Sequence, residues 1–117
     1  MLKFICYSKC TTCQKAKQWL EDHKIEYELR DIKMNKPSLE ELTNWYQKSG
    51  LPLRKFFNTS GLLYKSLELK NKLPEMTEDE MLKLLATDGM LVKRPLLIDD
   101  DFVLLGFKET QWQTINK

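Results

Sequence analysis

"FICYSKCTTCQKAKQWL", Phe4 to Leu20, contains all three cysteines of the chain, and its hydropathy period changes midway. Leu2, Phe4 and Cys6 alternate with Lys3, Ile5 and Tyr7, apolar on both faces as in a buried strand. Ser8 and Lys9 break that pattern. From Thr12 onward Ala16, Trp19 and Leu20 fall at helical spacing, with Lys15, Lys17, Gln18, Glu21 and Asp22 on the outer face. A strand therefore ends, and a helix begins, at Cys10-Thr11-Thr12-Cys13.

Working outward, "IEYELRDI" reads as a second strand in which Ile25, Tyr27 and Leu29 alternate with charged residues. Strand, helix and strand in so short a span make a βαβ unit, so the two strands should be parallel. Ser38 and Glu41 form a capping-box pattern, opening a helix with Leu39, Leu42, Trp45 and Tyr46 on its buried stripe. Gly50 should end it, with Pro52 preventing continuation. A helical turn is expected at Arg54–Phe57 and a helix around Tyr64–Leu69. Thr77 and Glu80 repeat the capping box before a helix with Met81, Leu82, Leu84 and Leu85 inside, stopped by Asp88-Gly89. Two strands, Leu96–Ile98 and Phe102–Leu105, flank the acidic turn Asp99-Asp100-Asp101 as a hairpin, and a last helix begins near Lys108 and contains Trp112.

At 117 residues this is one domain, 1–117, long enough to bury a core without staples. Its 19 basic and 17 acidic residues are interspersed and leave a net charge of +2, which gives no long-range field for nucleic acid. No apolar run approaches the roughly 20 residues that span a bilayer, and the N-terminus lacks the pattern of a signal peptide. The chain reads as cytoplasmic, unattached to membrane, and as a monomer. In that reducing compartment a close cysteine pair is more often catalytic or metal-binding than structural.

A zinc site fails on ligand count, because no second Cys/His pair exists and the single histidine, His23, sits at the far end of the same helix. Redox chemistry fits better. The free amides and positive dipole end of the first helix, with Lys9 alongside, favour a thiolate at Cys10. Cys13, one turn on, can close a disulfide with it. Cys6 alternates with Leu2 and Phe4 and reads as a packed core thiol. Pro95 opens a strand, where its missing amide does no damage, and would oppose the cysteine loop. Thiol-redox domains commonly hold a cis proline there. The fold expected is α/β: a thioredoxin/glutaredoxin-like, mixed four-stranded sheet with a helical insertion at about 38–88 before the C-terminal β-hairpin.

The segments "YSKCTTCQKAKQWL", "SGLPLRKFFNTSG", "MTEDEMLKLLATDGMLVKRPLLI" and "LLGFKETQW", in that order, resemble the arsenate reductase/Spx family of thioredoxin-like proteins across nearly the whole chain. The resemblance implies Cys10 as the reactive cysteine, Arg94 as the substrate-facing arginine before a cis proline, and middle helices forming a separate cap. Thr11, Thr12, Arg94, Pro95 and Lys108 are then the substrate-binding candidates. It implies no bound cofactor, with glutathione and glutaredoxin, or thioredoxin, as electron donor. The chain departs from the glutaredoxin-dependent arsenate reductases at Cys13-Gln14, at Asn58 and at Lys108, where the family has Ser-Arg and further arginines; Arg54 is retained. Arsenate would therefore be held weakly. Spx regulators share the Cys-x-x-Cys switch and use a glycine, matched here by Gly50, to contact the α subunit of RNA polymerase. Against that alternative, Gln14 replaces their arginine, and the sequence stops at Lys117 without their charged extension.

Overall fold

A computed structural model describes residues 2–115. Strand β1 (Lys3–Cys6) leads into helix α1 (Thr11–Asp22) and strand β2 (Glu28–Asp31). An insertion follows, made of α2 (Leu39–Ser49), a 3-10 turn at Leu53–Phe56, α3 (Leu62–Ser66), α4 (Leu69–Lys72) and α5 (Glu78–Leu85). Strands β3 (Leu96–Ile98) and β4 (Val103–Leu105) and the short α6 (Glu109–Trp112) complete the order. The sheet runs β2-β1-β3-β4, with β1 and β2 parallel and the other pairs antiparallel. The thioredoxin-like architecture expected from the sequence is the one formed.

The two-faced pattern of β1 explains the layering. Phe4 and Cys6, with Leu97 of β3, pack on one side against Cys13, Ala16, Trp19 and Leu20 of α1 and against Trp112. Ile5, Leu96 and Ile98 point the other way, onto Leu42, Trp45, Phe56 and Leu85 of the insertion. The middle helices are thus not a separate cap: they form the second layer on the sheet and share its core. Arg30 of β2 ties them down, donating to both carboxylate oxygens of Glu41 at 2.6 and 2.8 Å and to the backbone oxygens of Asn35 and Lys36. That arginine beside it holds the Glu41 carboxyl low, at about 2. Both expected capping boxes are present, at Ser38 with Glu41 and at Thr77 with Glu80, and Gly50 ends α2 in the left-handed region.

Several local expectations change. Strand β2 starts only at Glu28, because Ile25 and Tyr27 pack against the α1-side core before pairing begins. Leu29 is 53% exposed, as β2 is an edge strand extending past the helix that covers its neighbours. Leu39 is exposed in the first turn of α2, where Leu42 and Trp45 carry the burial instead. The single helix expected near Tyr64–Leu69 is split, since Glu68 takes a left-handed conformation (φ 54) between α3 and α4. β4 begins at Val103 instead of Phe102. Gly89 does not terminate α5, which already ends at Leu85. It lies buried in a 3-10 turn capped by Asp88, so close to β2's exit that a Cβ there would sit 1.8 Å from the Ile32 carbonyl oxygen. No helix among the described residues is long and apolar enough to cross a membrane.

Candidate functional site

Where β1 gives way to α1, Cys10 takes the N-cap position in extended geometry (φ −90°, ψ 121°), its side chain making no capping bond. Its amide donates to the Tyr7 carbonyl at 3.0 Å and its carbonyl accepts from Gln14 at 3.1 Å, which fixes the thiol at the helix start. The first amides of a helix have no intrahelical acceptor, so this end of α1 is an electropositive rim. Cys10 is half-buried and free, and it opens on a cavity of about 360 Å³.

The opposite wall comes from the far end of the chain. The Arg94–Pro95 peptide is cis, as expected, and brings Arg94 into the same cavity. The Arg94 guanidinium lies over the Tyr7 ring, 5.2 Å from its centroid. Its Nε and Nη1 are buried without a hydrogen-bond partner among the described residues. Buried donors are rarely left unpaired, least of all on a cation, so these two are suited to an acceptor brought by a ligand. Lys93 and Lys108 line the cavity as well, and no carboxylate does among the described residues. A chain of near-balanced charge thus concentrates three cations around one thiol.

The structure brings Cys10, Thr12, Arg94 and Lys108 together on this cavity. Thr11 is exposed at the helix start, and Pro95 is buried behind Arg94, its carbonyl accepting from the Gly106 amide at 2.8 Å. Cys13 does not line the cavity. It is 1% exposed on the inner face of α1, accepts the Tyr7 amide at 3.3 Å, and borders a second, smaller cavity. Gly50 lies on the exposed end of α2, apart from the thiols.

Asn58 also lines the Cys10 cavity. Gln14 does not: its side-chain amide donates to the Ser8 carbonyl at 3.0 Å and borders the second cavity. Arg54 faces an adjoining cleft that shares only Lys93, Leu105 and Lys108 with the first. Sequence reasoning missed Ser60, Gly61, Lys93, Leu105, Gly106 and Phe107, which complete the wall. The Asn58-Thr-Ser-Gly61 turn was the available signal, since Gly61 donates to the Asn58 carbonyl at 3.1 Å and closes the turn.

The ArsC family model matches residues 6–115. The protein YusI of Bacillus subtilis is 56% identical over 112 residues, covering 96% of this chain and 95% of its own. The regulatory protein MgsR of the same bacterium is 31% identical over 116 residues, 99% of this chain and 90% of its own. The crystal structure of an ArsC family related protein from Bacteroides fragilis superposes with a TM-score of 0.96 at 54% identity, covering 97% of this chain and 96% of that one.

Proposed function

The chain belongs to the ArsC family, and on that premise we propose that it is a cytoplasmic thiol–disulfide reductase in which Cys10 is the nucleophile and Cys13 the resolving thiol. The observation that carries this reading is the pair of unpartnered guanidinium donors of Arg94 on the cavity that Cys10 enters. A free thiol at a helix start supplies the attacker, while two unpartnered charged donors ask for an anionic substrate. The substrate class is a mixed disulfide whose leaving half carries a carboxylate or similar anion. Thr12 and Lys108 flank it, and Lys93 adds positive potential.

In the first step Cys10 Sγ attacks the substrate sulfur, and the substrate's other thiol leaves with the electron pair. Cys13, protected inside the fold, then displaces the second half and closes the Cys10–Cys13 disulfide. Glutathione with glutaredoxin, or thioredoxin, returns both thiols to the reduced state. Arsenate is the poorer substrate: Asn58 supplies no positive charge to the cavity, and Gln14 is turned away from it.

The test is a Cys13→Ser trap in cell lysate. A mixed disulfide on Cys10 with a defined partner supports the reading, and iodoacetamide should label Cys10 well before Cys6 or Cys13. Equal labelling of all three thiols, with no trapped partner, overturns it.

MgsR, named a regulatory protein, motivates a second reading. In it the same disulfide would switch a surface that binds the α subunit of RNA polymerase, with Gly50 at the contact. Gly50 is exposed, and a Cβ added there meets nothing within 4 Å, so a partner could approach it closely. Saturable binding to the C-terminal domain of that polymerase α subunit, lost on Gly50→Arg and unaccompanied by thiol turnover, would favour this reading over the reductase.

A further inference from the structure

The third cysteine, Cys6, is packed in the core as expected, and it also borders a cavity. Cys6, the last residue of β1, and Cys13, on the inner face of α1, pack in one core cluster, and Cys13 Sγ accepts from the amide of Tyr7, the residue after Cys6, at 3.3 Å. Cys13 thus sits one helical turn from Cys10 along α1 and shares a cavity wall with Cys6. That cavity, of about 260 Å³, is bordered by Cys6, Cys13, Tyr7, Gln14, Lys17 and Leu29. Neither Cys10 nor Arg94 borders it, so it is a separate opening.

Resting on the reductase reading above, we propose that the Cys10–Cys13 disulfide is handed on by exchange to Cys6, giving a Cys6–Cys13 disulfide that faces the second cavity and returns Cys10 to the first as a free thiolate. The step balances as ordinary thiol–disulfide exchange. Cys6, its proton lost to solvent, attacks Cys13 Sγ. The Cys6–Cys13 bond forms, the Cys10–Cys13 bond breaks, and the electron pair leaves on Cys10. Nothing is oxidised or reduced overall, and no further reactant is needed.

In the reduced protein the two buried thiols are shifted in opposite directions. The hydrogen bond from Cys13 is the largest influence lowering the Cys6 thiol, with the Lys17 ammonium assisting and burial and Asp31 opposing. The same hydrogen bond, then burial, raises Cys13. Once Cys13 is in the disulfide it has no proton to donate, and the Lys17 ammonium is the cation left to favour the Cys6 thiolate that attacks. The consequence is a division of labour. The substrate meets Cys10 in the cationic cavity, whereas a reducing thiol can reach the 8% exposed Cys6 through the second opening without crossing the first.

Trypsin makes the test direct, because Lys3, Lys9 and Lys15 place Cys6 on one peptide and Cys10 with Cys13 on the next. The full chain is oxidised with one equivalent of diamide, quenched in acid at intervals, alkylated with N-ethylmaleimide and digested without reduction. The expected result is an early disulfide within the Cys10–Cys13 peptide, followed by a rise of the cross-linked peptide pair with the alkyl group on Cys10. Cys10→Ser, treated alike, should lose both remaining alkylation sites to a Cys6–Cys13 bond, and Cys6→Ala should stop at Cys10–Cys13. A wild type that keeps Cys10–Cys13 indefinitely with Cys6 alkylated overturns the hand-over and leaves the reductase reading standing. So does a Cys6–Cys13 bond seen in Cys10→Ser but never in the wild type. A chain that forms no Cys10–Cys13 bond and traps no substrate overturns both.

Discussion

Replacing Arg94 with Met should move activity and stability in opposite directions. The side chain has two buried guanidinium donors without a partner among the described residues, and its Cζ lies 5.2 Å from the Tyr7 ring centroid. Hydrogen bonds to a charged group contribute about 1.5–3 kcal/mol each, so an anion engaging both donors loses roughly 3–6 kcal/mol in the variant. That corresponds to a fall in kcat/KM of about 10²–10⁴ for an anionic mixed disulfide. An uncharged disulfide of similar reactivity should lose far less. In the free protein, removing a buried unsatisfied donor relieves about 1–3 kcal/mol, against about 0.5–2 kcal/mol for the lost cation–aromatic contact. The variant should therefore be as stable as the parent or slightly more so, which structural residues of comparable burial are not. The assay pairs kcat/KM on the two disulfides with urea unfolding of the free protein. Equal loss on both substrates, or a destabilisation above about 2 kcal/mol, would refute an anion-binding Arg94 and make it a structural residue.

Other consequences are equally open to measurement. Asn58→Arg adds a charged donor to the Cys10 cavity and should raise arsenate turnover roughly 10- to 100-fold in a glutaredoxin-coupled assay; no increase would show that charge on that wall does not limit oxyanion binding. Glu41 has its carboxyl held at about 2 in the fold, below its ordinary value, so its ion pair with Arg30 is fully stabilising above the ordinary range and is lost as pH falls toward about 2. With side chains 15% and 30% exposed, solvent screening leaves about 1–2 kcal/mol at neutral pH, and Glu41→Gln should remove it and flatten the acid limb of the urea midpoint. Gly89→Ala would place a methyl group 1.8 Å from the Ile32 carbonyl oxygen, so the backbone must move, at a cost of more than about 3 kcal/mol; a change below about 1 kcal/mol would contradict that packing.

The signals that could be read along the chain were those whose cause is local. The period-two run of β1, the helical spacing of α1 and the two capping boxes depend on residues a few positions apart, and all four appear as expected. The cis Arg94–Pro95 peptide opposite Cys10 was legible too, because Pro95 opens the strand facing the cysteine loop, where thiol-redox domains commonly hold a cis proline. What failed locally failed for tertiary reasons. Leu29 is apolar in an alternating strand, yet exposed, because nothing covers the sheet edge at that point. Gly89 resembles a helix stop but is required by a carbonyl from the exit of β2.

The same division holds at the site. The sequence by itself determined the βαβ start, the thiol at a helix N-terminus and the arginine before the proline, since backbone hydrogen bonding and side-chain period act over short separations. Only the tertiary structure decided that Lys93, Arg94 and Lys108 share one cavity with Cys10, that Gln14 faces away from it, and that Cys6 and Cys13 border a second one. The charges are interspersed along the chain and nearly cancel in sum. Folding the C-terminal hairpin against β1 is what brings three of them to a single thiol, because electrostatic interactions depend on distance in space and leave no period in the sequence.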